Sequence, residues 1–576
     1  MEDIKYFLSS KRNNTLNTKI KNIYYLPIIH KSMGLKQELL ESISKQIKEE
    51  ISLEVPPNLV LGDFAMPCFR LSKKPIELQQ TLKLPKFIEK TEVKGPYLNF
   101  FIKQDYLAEI TIKQILKEKQ KYGSNQTGKN KHMLIEHTSI NPNASPHLGR
   151  ARNAIIGDSI VRISKFEGYK VETHYYVNDI GKQIAMLVLA CKNKTPKFKD
   201  ILNLYVEFNK KLEKNKEIEK EVFTLLNKLE QGDKKTISSF KRIVKLCIKG
   251  QTDILKELNI KYDFFDYESK FLFNKSTEDI LKQLKSKNKL FTDEEGRQTL
   301  DLKEFDLPME NPYLPVTRND GTSMYILRDI AYTIWKDKRA KDRNVWVLGE
   351  DHKLYYQQLK AILSLLNHKV PEAIHYSYIL LPSGKMSTRK GDVVLLEDFM
   401  EEIKEKAKAE IKNRHGNIKE INKLSEIIAY GAVKFTILKV SADKNIVFDI
   451  EKALSFEGET APYIQYAYAR ANSIIKKAKL QKGDYSALNS TQEKALISKL
   501  AEFPEVVKTT IQSLKPHLIA NYSLELAKNF NEFYHACQVL NEQEQIKNAR
   551  LGLVLATKQV LKNALSLLGI EVPDLM

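Results

Sequence analysis

The sequence predicts an α/β fold: a central domain built on a parallel sheet, between an N-terminal α+β module and a C-terminal all-α bundle. Three observations carry this. Met133-Leu134-Ile135-Glu136 is a short apolar run, followed by a helical stretch with Ile155, Ile156, Ile160 and Ile163 and then by a second run from about Val171 to Val177. Strand, loop, helix, strand is a βαβ unit, which argues for parallel pairing. From about residue 400 to the end the apolar periodicity is almost wholly helical. Before about residue 120, a helical stretch, Leu35 to Ile51, precedes a strand-like run from Gly95 to Ile102 that opens on a turn signal.

These patterns divide the chain into residues 1–120, 121–400 and 401–576. The polar, glycine-containing segment from Lys121 to Gly128 reads as the linker between the first two. Residues 192–260 are helical and strongly charged and read as an insertion. Val345-Trp346-Val347-Leu348 and Tyr378-Ile379-Leu380-Leu381 resume the strands.

Composition narrows the function. The formal charge of +21, with a pI near 9.3, favours a polyanionic partner, nucleic acid ahead of membrane. Solvated lysines in a lysine-rich chain account for the same charge. The four cysteines form no CxxC pair, which argues against a structural zinc and for reduced thiols in a cytoplasmic protein. The start lacks a signal-peptide core, and no apolar run reaches membrane-spanning length.

Two motifs carry chemistry. Pro146-His147-Leu148-Gly149-Arg150 stands at the expected start of a helix, where unpaired N–H groups and the helix dipole suit a phosphate. His147 could donate a hydrogen bond to an α-phosphate as charge builds there, Gly149 lets a ligand approach the backbone, and Arg150 could hold a phosphate or ribose oxygen. Gly384-Lys385-Met386-Ser387-Thr388-Arg389-Lys390-Gly391 is a cationic loop that could fold over a triphosphate. It follows a strand-like run, which places it at the carboxyl end of a sheet strand, where ligands bind in open α/β folds. Standing alone, the first reads more often as a histidine near a helix cap and the second as a basic surface turn.

Together and in this order, the two resemble the HIGH and KMSKS signatures of class I aminoacyl-tRNA synthetases. Longer stretches are similar to the arginyl-tRNA synthetases in particular. They are Glu136-His137-Thr138-Ser139-Ile140-Asn141-Pro142-Asn143, Tyr325-Ile326-Leu327-Arg328-Asp329-Ile330, Glu457 to Ala467, Phe533-Tyr534-His535 and the ending Leu568 to Met576. The resemblance implies a Rossmann-like core. It implies an N-terminal module on the outer corner of tRNA and a C-terminal bundle on the anticodon. The expected partners are tRNA(Arg) and L-arginine, with ATP as substrate accompanied by Mg²⁺, no structural zinc, and a monomer in which bound tRNA is needed for arginine activation.

For the amino acid, the resemblance implies Asp329 as guanidinium acceptor, Tyr325 packed beside it, and Glu136, Asn141 and Ser139 around the substrate's amino and backbone end. A carboxylate suits a guanidinium through a two-pronged ion pair. Unaided, Asp329 reads sooner as an ion pair with Arg328 or a nearby lysine. Two departures stand out. Arg150 replaces the second histidine of HIGH, and the stretch Gly349 to Lys353 lacks the family's glutamine, so that Asp351 or His352 stands in. Asp179 and Gln183 are expected in the pocket floor or in a turn without ligand contact. Tyr463 and Tyr534 are candidates to stack on anticodon bases, whereas Tyr466 and Tyr468 read as core.

Overall fold

A computed structural model of the chain describes residues 31–54, 56, 61–192, 194–382, 384–385, 394–416, 419–479 and 481–576. The N-terminal module contains α1 (Lys31–Ser44), β1 (Phe64–Pro67), α2 (Pro75–Thr81), β2 (Ile88–Lys94), β3 (Tyr97–Ile102) and α3 (Gln104–Glu118). Its sheet is antiparallel with order β1-β3-β2, and Gly95, at φ +57°, makes the turn between β2 and β3. The first helix stops at Ser44 rather than running on to Ile51. Two residues later Gln46 gives and receives hydrogen bonds with the Lys83 backbone, both 2.8 Å, which turns the chain aside.

The expected linker is not loose. Tyr122 is buried and its hydroxyl donates to Leu500 O at 2.9 Å, while the Asn125 amide donates to Pro504 O at 2.9 Å. Asn563 reaches back to Lys119 O and Tyr122 O. Polar, turn-forming residues predict a break in regular structure correctly, but here their hydrogen-bonding groups are spent partly on the C-terminal bundle and partly on Phe166 and Glu167 at the end of the helix that follows β4.

Five parallel strands form the central sheet in the order β11-β10-β4-β5-β6. They are β4 (His132–Glu136), β5 (Lys170–Val177), β6 (Phe264–Tyr267), β10 (Arg343–Gly349) and β11 (Glu372–Tyr376). Helix α4 (Leu148–Phe166) crosses from β4 to β5. The charged helical segment, α5 (Lys182–Ala190), α6 (Ile201–Lys214), α7 (Lys216–Glu230) and α8 (Lys234–Glu257), crosses from β5 to β6. A small antiparallel sheet, β7 (Leu290–Thr292), β8 (Gln298–Asp301) and β9 (Tyr313–Pro315), precedes α9 (Tyr325–Ala340), and α10 (Lys353–Leu365) joins β10 to β11.

Alternate strand residues point to opposite faces. Met133, Ile135, Tyr175, Val177, Val345 and Val347 lie in one large core with α4 and the C-terminal helices. Trp346 lies in a second core, with Ile326, Leu327 and Ile330 of α9 and Leu359 and Ile362 of α10.

The strand before the cationic loop is not a strand of this sheet. β12 (Ile379–Leu381) pairs antiparallel with β13 (Gly384–Lys385) and parallel with β14 (Ile446–Val447) in a separate three-stranded sheet. A short apolar run predicts a strand but does not name its partner. The rest is helical: α11 (Leu396–His415), α12 (Ile421–Leu438), α13 (Ala461–Lys476), α14 (Thr491–Ser513), α15 (His517–Ala536) and α16 (Glu544–Leu567). Among the described residues no helix is long and apolar enough to cross a membrane.

Candidate active site

The first motif follows the loop that leaves β4. His147 is the N-cap of α4, with extended backbone, and Gly149 and Arg150 lie in the first helical turn. Leu148 N bonds Val394 O and Leu396 N bonds Pro146 O, so His147 and Leu395 form an antiparallel bridge. The segment that leaves the cationic loop is therefore tied to the segment that enters the helix. Ser145 strengthens the tie by donating to Glu397. Met386, Ser387, Thr388, Arg389, Lys390 and Gly391, and the side chain of Lys385, lie outside the described residues. Burial and the neighbouring Arg150 guanidinium pull the His147 pKa down to about 4, so its imidazole is neutral at pH 7.

The loop between β4 and the helix is held from beneath. Thr138 and Ser139 have left-handed φ of +73° and +42°, which costs non-glycine residues energy and persists only where surroundings enforce it. Thr138 N donates to Asn153 Oδ1 at 2.6 Å, and Asn153 also donates to Val347 O, tying the loop to α4 and β10. Buried Gln251, from the helical crossover, donates to Asn141 O and Ala144 O and accepts from the Tyr175 hydroxyl at 2.9 Å. Asn141 is exposed, and its amide and that of Asn143 both donate to Gln183 Oε1. Asp179 is used structurally, accepting from Ser269 N and Oγ.

Arg152, one turn into α4 and fully buried, donates to four backbone oxygens, those of Ser377, Tyr378, Ser441 and Lys444. It clips the helix to the strands from which the cationic loop emerges. Among the described residues no carboxylate lies within ion-pair distance of it.

On the other face of the sheet, residues paired in register form a row, Trp346, Glu136 and His174, across β10, β4 and β5. Lys336 Nζ and Trp346 Nε1 both donate to Glu136 Oε2, and Ser139 Oγ donates to Oε1 at 3.2 Å. Burial pushes Glu136 up and Lys336 down, and each opposes the other's shift through their contact. His174 Nδ1 lies 2.6 Å from Asp266 Oδ2, which also accepts from the Tyr332 hydroxyl.

Helix α9 lies against this row. Arg328 does not pair with Asp329. Its Nε donates to buried Glu268 at 2.5 Å and its Nη1 to Ser323. Asp329 accepts from the Tyr355 hydroxyl, and among the described residues no cation lies within ion-pair distance of it. Burial raises its pKa, opposed mainly by Tyr355. Tyr325, 55% exposed, stands in the first turn of α9 with its ring 5.4 Å from that of Tyr355. His352 meets the edge of Tyr355 at 6.2 Å. Asp351 is exposed and folds back over Gly349, where an added Cβ would meet its Oδ1 at 2.3 Å, and it makes no hydrogen bond to Asp329.

Around this pocket Glu136 is matched by Lys336 and Glu268 by Arg328, Asp266 bonds His174 and the Tyr332 hydroxyl, and partly buried Asp329 has no cation within ion-pair distance among the described residues. Asp329 is thus the carboxylate of this pocket that faces it without a cationic partner. Comparison with known proteins identifies the family. Residues 111–450 match the family model described as tRNA synthetases class I (R), catalytic domain. Residues 464–576 match the DALR anticodon binding domain, and 33–102 the arginyl tRNA synthetase N terminal domain. The chain belongs to the class I arginyl-tRNA synthetase family.

Relatives named arginine–tRNA ligase include that of Methanosphaera stadtmanae, 38% identical over 94% of this chain and 99% of the relative. That of Methanocaldococcus jannaschii is 39% identical over 93% and 98%. The solved Thermus thermophilus arginyl-tRNA synthetase is 25% identical, with a TM-score of 0.79, covering 94% of this chain and all of that one.

Lys336, Tyr355, Gln251 and Arg152 escaped the sequence reading. Lys336 had a signal: it lies seven residues after Asp329, two helical turns on, and so on one helical face. Tyr355 had none, since its partner lies on another helix.

At the far end, Tyr468 is buried, as its spacing implied, and Tyr463 is partly buried against the core. Tyr534 is 40% exposed, and the Arg470 guanidinium lies 4.6 Å from its ring and 4.7 Å from that of Tyr466, held by Asn531 at 2.9 Å. Tyr466 is thus part of a surface cluster rather than of the core.

Proposed function

We propose that this family member activates L-arginine with ATP and passes the arginyl group to the terminal ribose of tRNA(Arg), by family analogy at the 2′-hydroxyl. The uncompensated Asp329 carboxylate carries this reading. It accepts the guanidinium, with Tyr325 and Tyr355 walling the side chain, while Glu136 Oε1 takes the α-ammonium and Ser139 and Asn141 border the backbone end. Asp351 and His352 border the guanidinium pocket. The arginine carboxylate attacks the ATP α-phosphorus. His147, neutral, donates to that phosphate at the helix N-terminus, Gly149 allows the close approach, and Arg150 holds a phosphate or ribose oxygen. Lys385, Met386, Ser387, Arg389 and Lys390 supply the loop that neutralises departing pyrophosphate. Mg²⁺ enters with ATP as part of the substrate. Among the described residues no group of three His, Cys, Asp or Glu side chains is arranged to hold a metal ion.

Discrimination follows from the same carboxylate. A shorter or uncharged amino acid would leave Asp329 buried without a cation, a penalty on the order of 3–5 kcal/mol, so no editing site is required. Tyr534, with Arg470 and Tyr466, offers a cationic aromatic platform for anticodon bases, with Tyr463 at the start of the same helix as Arg470. We infer a monomer acting in the cytoplasm, since one chain supplies both motifs and the whole pocket.

The test is arginine-dependent ATP–pyrophosphate exchange, with and without matched tRNA. Exchange with arginine only when tRNA is present supports the amino acid, the chemistry and the tRNA-dependent assembly of the site. No exchange with any amino acid, in the presence of tRNA that binds, would sink the reading and leave an RNA-binding protein.

A further inference from the structure

One cation in the pocket has no part in the chemistry above. Lys336 is 0% exposed, and an ammonium so placed is costly unless its charge is matched and its donors are used. It lies between the faces of Trp346, 3.9 Å away, and Tyr332, 4.3 Å away, and donates to Glu136 Oε2. Trp346 Nε1 donates to the same oxygen. The carboxylate is therefore used unequally. Oε2 receives two strong donors, whereas Oε1 receives one, from Ser139 at 3.2 Å. A carboxylate oxygen has room for two, so Oε1 keeps a vacant acceptor site.

We propose that Lys336 is a positioning residue for the substrate: it fixes Glu136 as an ionised carboxylate with Oε1 presented to the α-ammonium of arginine. This rests on the reading of Glu136 given above. Asp329, Asp266 and the Tyr332 hydroxyl also face this group, and both carboxylates favour protonation of Glu136, as burial does. Lys336 opposes all of these. Without it burial and the two carboxylates would act unopposed in favouring the protonated form, and a neutral carboxyl is a poor acceptor for an ammonium. The arrangement also makes α9 a two-point gauge. Asp329 addresses the side-chain end of the substrate, and Lys336, two turns along the same helix, addresses the other end through Glu136.

The test compares L-arginine with 5-guanidinovalerate, which keeps the guanidinium and carboxylate but lacks the α-amino group. Both are measured on the full-length chain, arginine by its KM in aminoacylation and the analogue by its inhibition constant. In Lys336→Met, arginine should weaken about tenfold or more, the effect of losing one charged hydrogen bond, while the analogue stays within about twofold. A general loosening of the fold would weaken both alike. The arginine deficit should shrink as pH rises and Glu136 regains its charge.

Glu136→Gln separates the two layers of the argument. If it leaves the preference for arginine over the analogue intact, the reading of Glu136 itself fails. If Glu136→Gln removes the preference and Lys336→Met does not, the role of Lys336 is overturned. Trp346→Phe, which removes the second donor to Oε2, should show the same selective loss at smaller size and serves if Lys336→Met does not fold; an unchanged preference there also overturns the proposal.

Discussion

The two faces of the central sheet are built from the same strands and by opposite means. On one face Met133, Ile135, Tyr175, Val177, Val345 and Val347 close against α4, whose N-terminus is capped at His147. On the other, Glu136 meets α9 through its ion pair with Lys336, Trp346 through the Lys336 ammonium over its ring, and His174 through an edge contact with Trp335. The first face is tolerant, because apolar packing asks mainly for volume. The second is exacting, because each buried charge must be matched. In the function proposed above, Asp329, left without a cation, gives the site its selectivity, and nucleotide handling and amino-acid choice fall on opposite sides of one sheet.

The difference can be broken at its strongest point first. Asp329→Ala should lower kcat/KM for arginine by about 10³-fold or more while costing little in thermal unfolding beyond the hydrogen bond from Tyr355, since among the described residues the carboxylate it removes has no cationic partner. Survival of arginine activation would mean that the guanidinium binds elsewhere. Ile160→Ala, on the apolar face, should do the reverse. A fully buried isoleucine lost from α4 should cost about 2–5 kcal/mol in denaturant unfolding, with the arginine KM unchanged.

His147→Asn should reduce kcat by about 10²-fold, the usual worth of one donor to developing charge, with arginine KM within about twofold. A large rise in arginine KM instead would show that the two faces are not separate. Tyr355→Phe should raise the arginine KM by about tenfold, because a buried carboxylate loses its donor, and leave the ATP KM alone.

The last prediction concerns pH. His147 titrates near 6.5 when unfolded and near 4 when folded, so between these values the unfolded chain binds a proton that the native one refuses. Its contribution to stability is therefore complete above pH 6.5 and is lost as pH falls towards 4, at up to about 1.4 kcal/mol per pH unit. Urea midpoints at pH 7.5 and 5 should show a shallower pH dependence in His147→Asn than in wild type.

Much of this was legible beforehand. The helix start at His147, the strands at 133–136 and 171–177, and the helical C-terminal third follow from periodicity and capping, which are local. The Asp329 position was visible in a motif, but not its freedom from Arg328, which depended on Glu268 sixty residues away claiming the guanidinium. The segment 121–128 read as a linker because turn residues say nothing about what their polar groups will bond. The run 378–381 read as a strand of the main sheet because strand patterns do not encode partners.

The sequence by itself determined the family, the βαβ core and the residue types that chemistry requires, because spacing along a strand or helix sets which side chains share a face. Only the tertiary structure decided which carboxylates are neutralised and which one is left open. That choice depends on burial and on partners brought from distant segments, Lys336 and Trp346 to Glu136, Arg328 to Glu268 and Tyr355 to Asp329, and a buried charge takes its character from those neighbours.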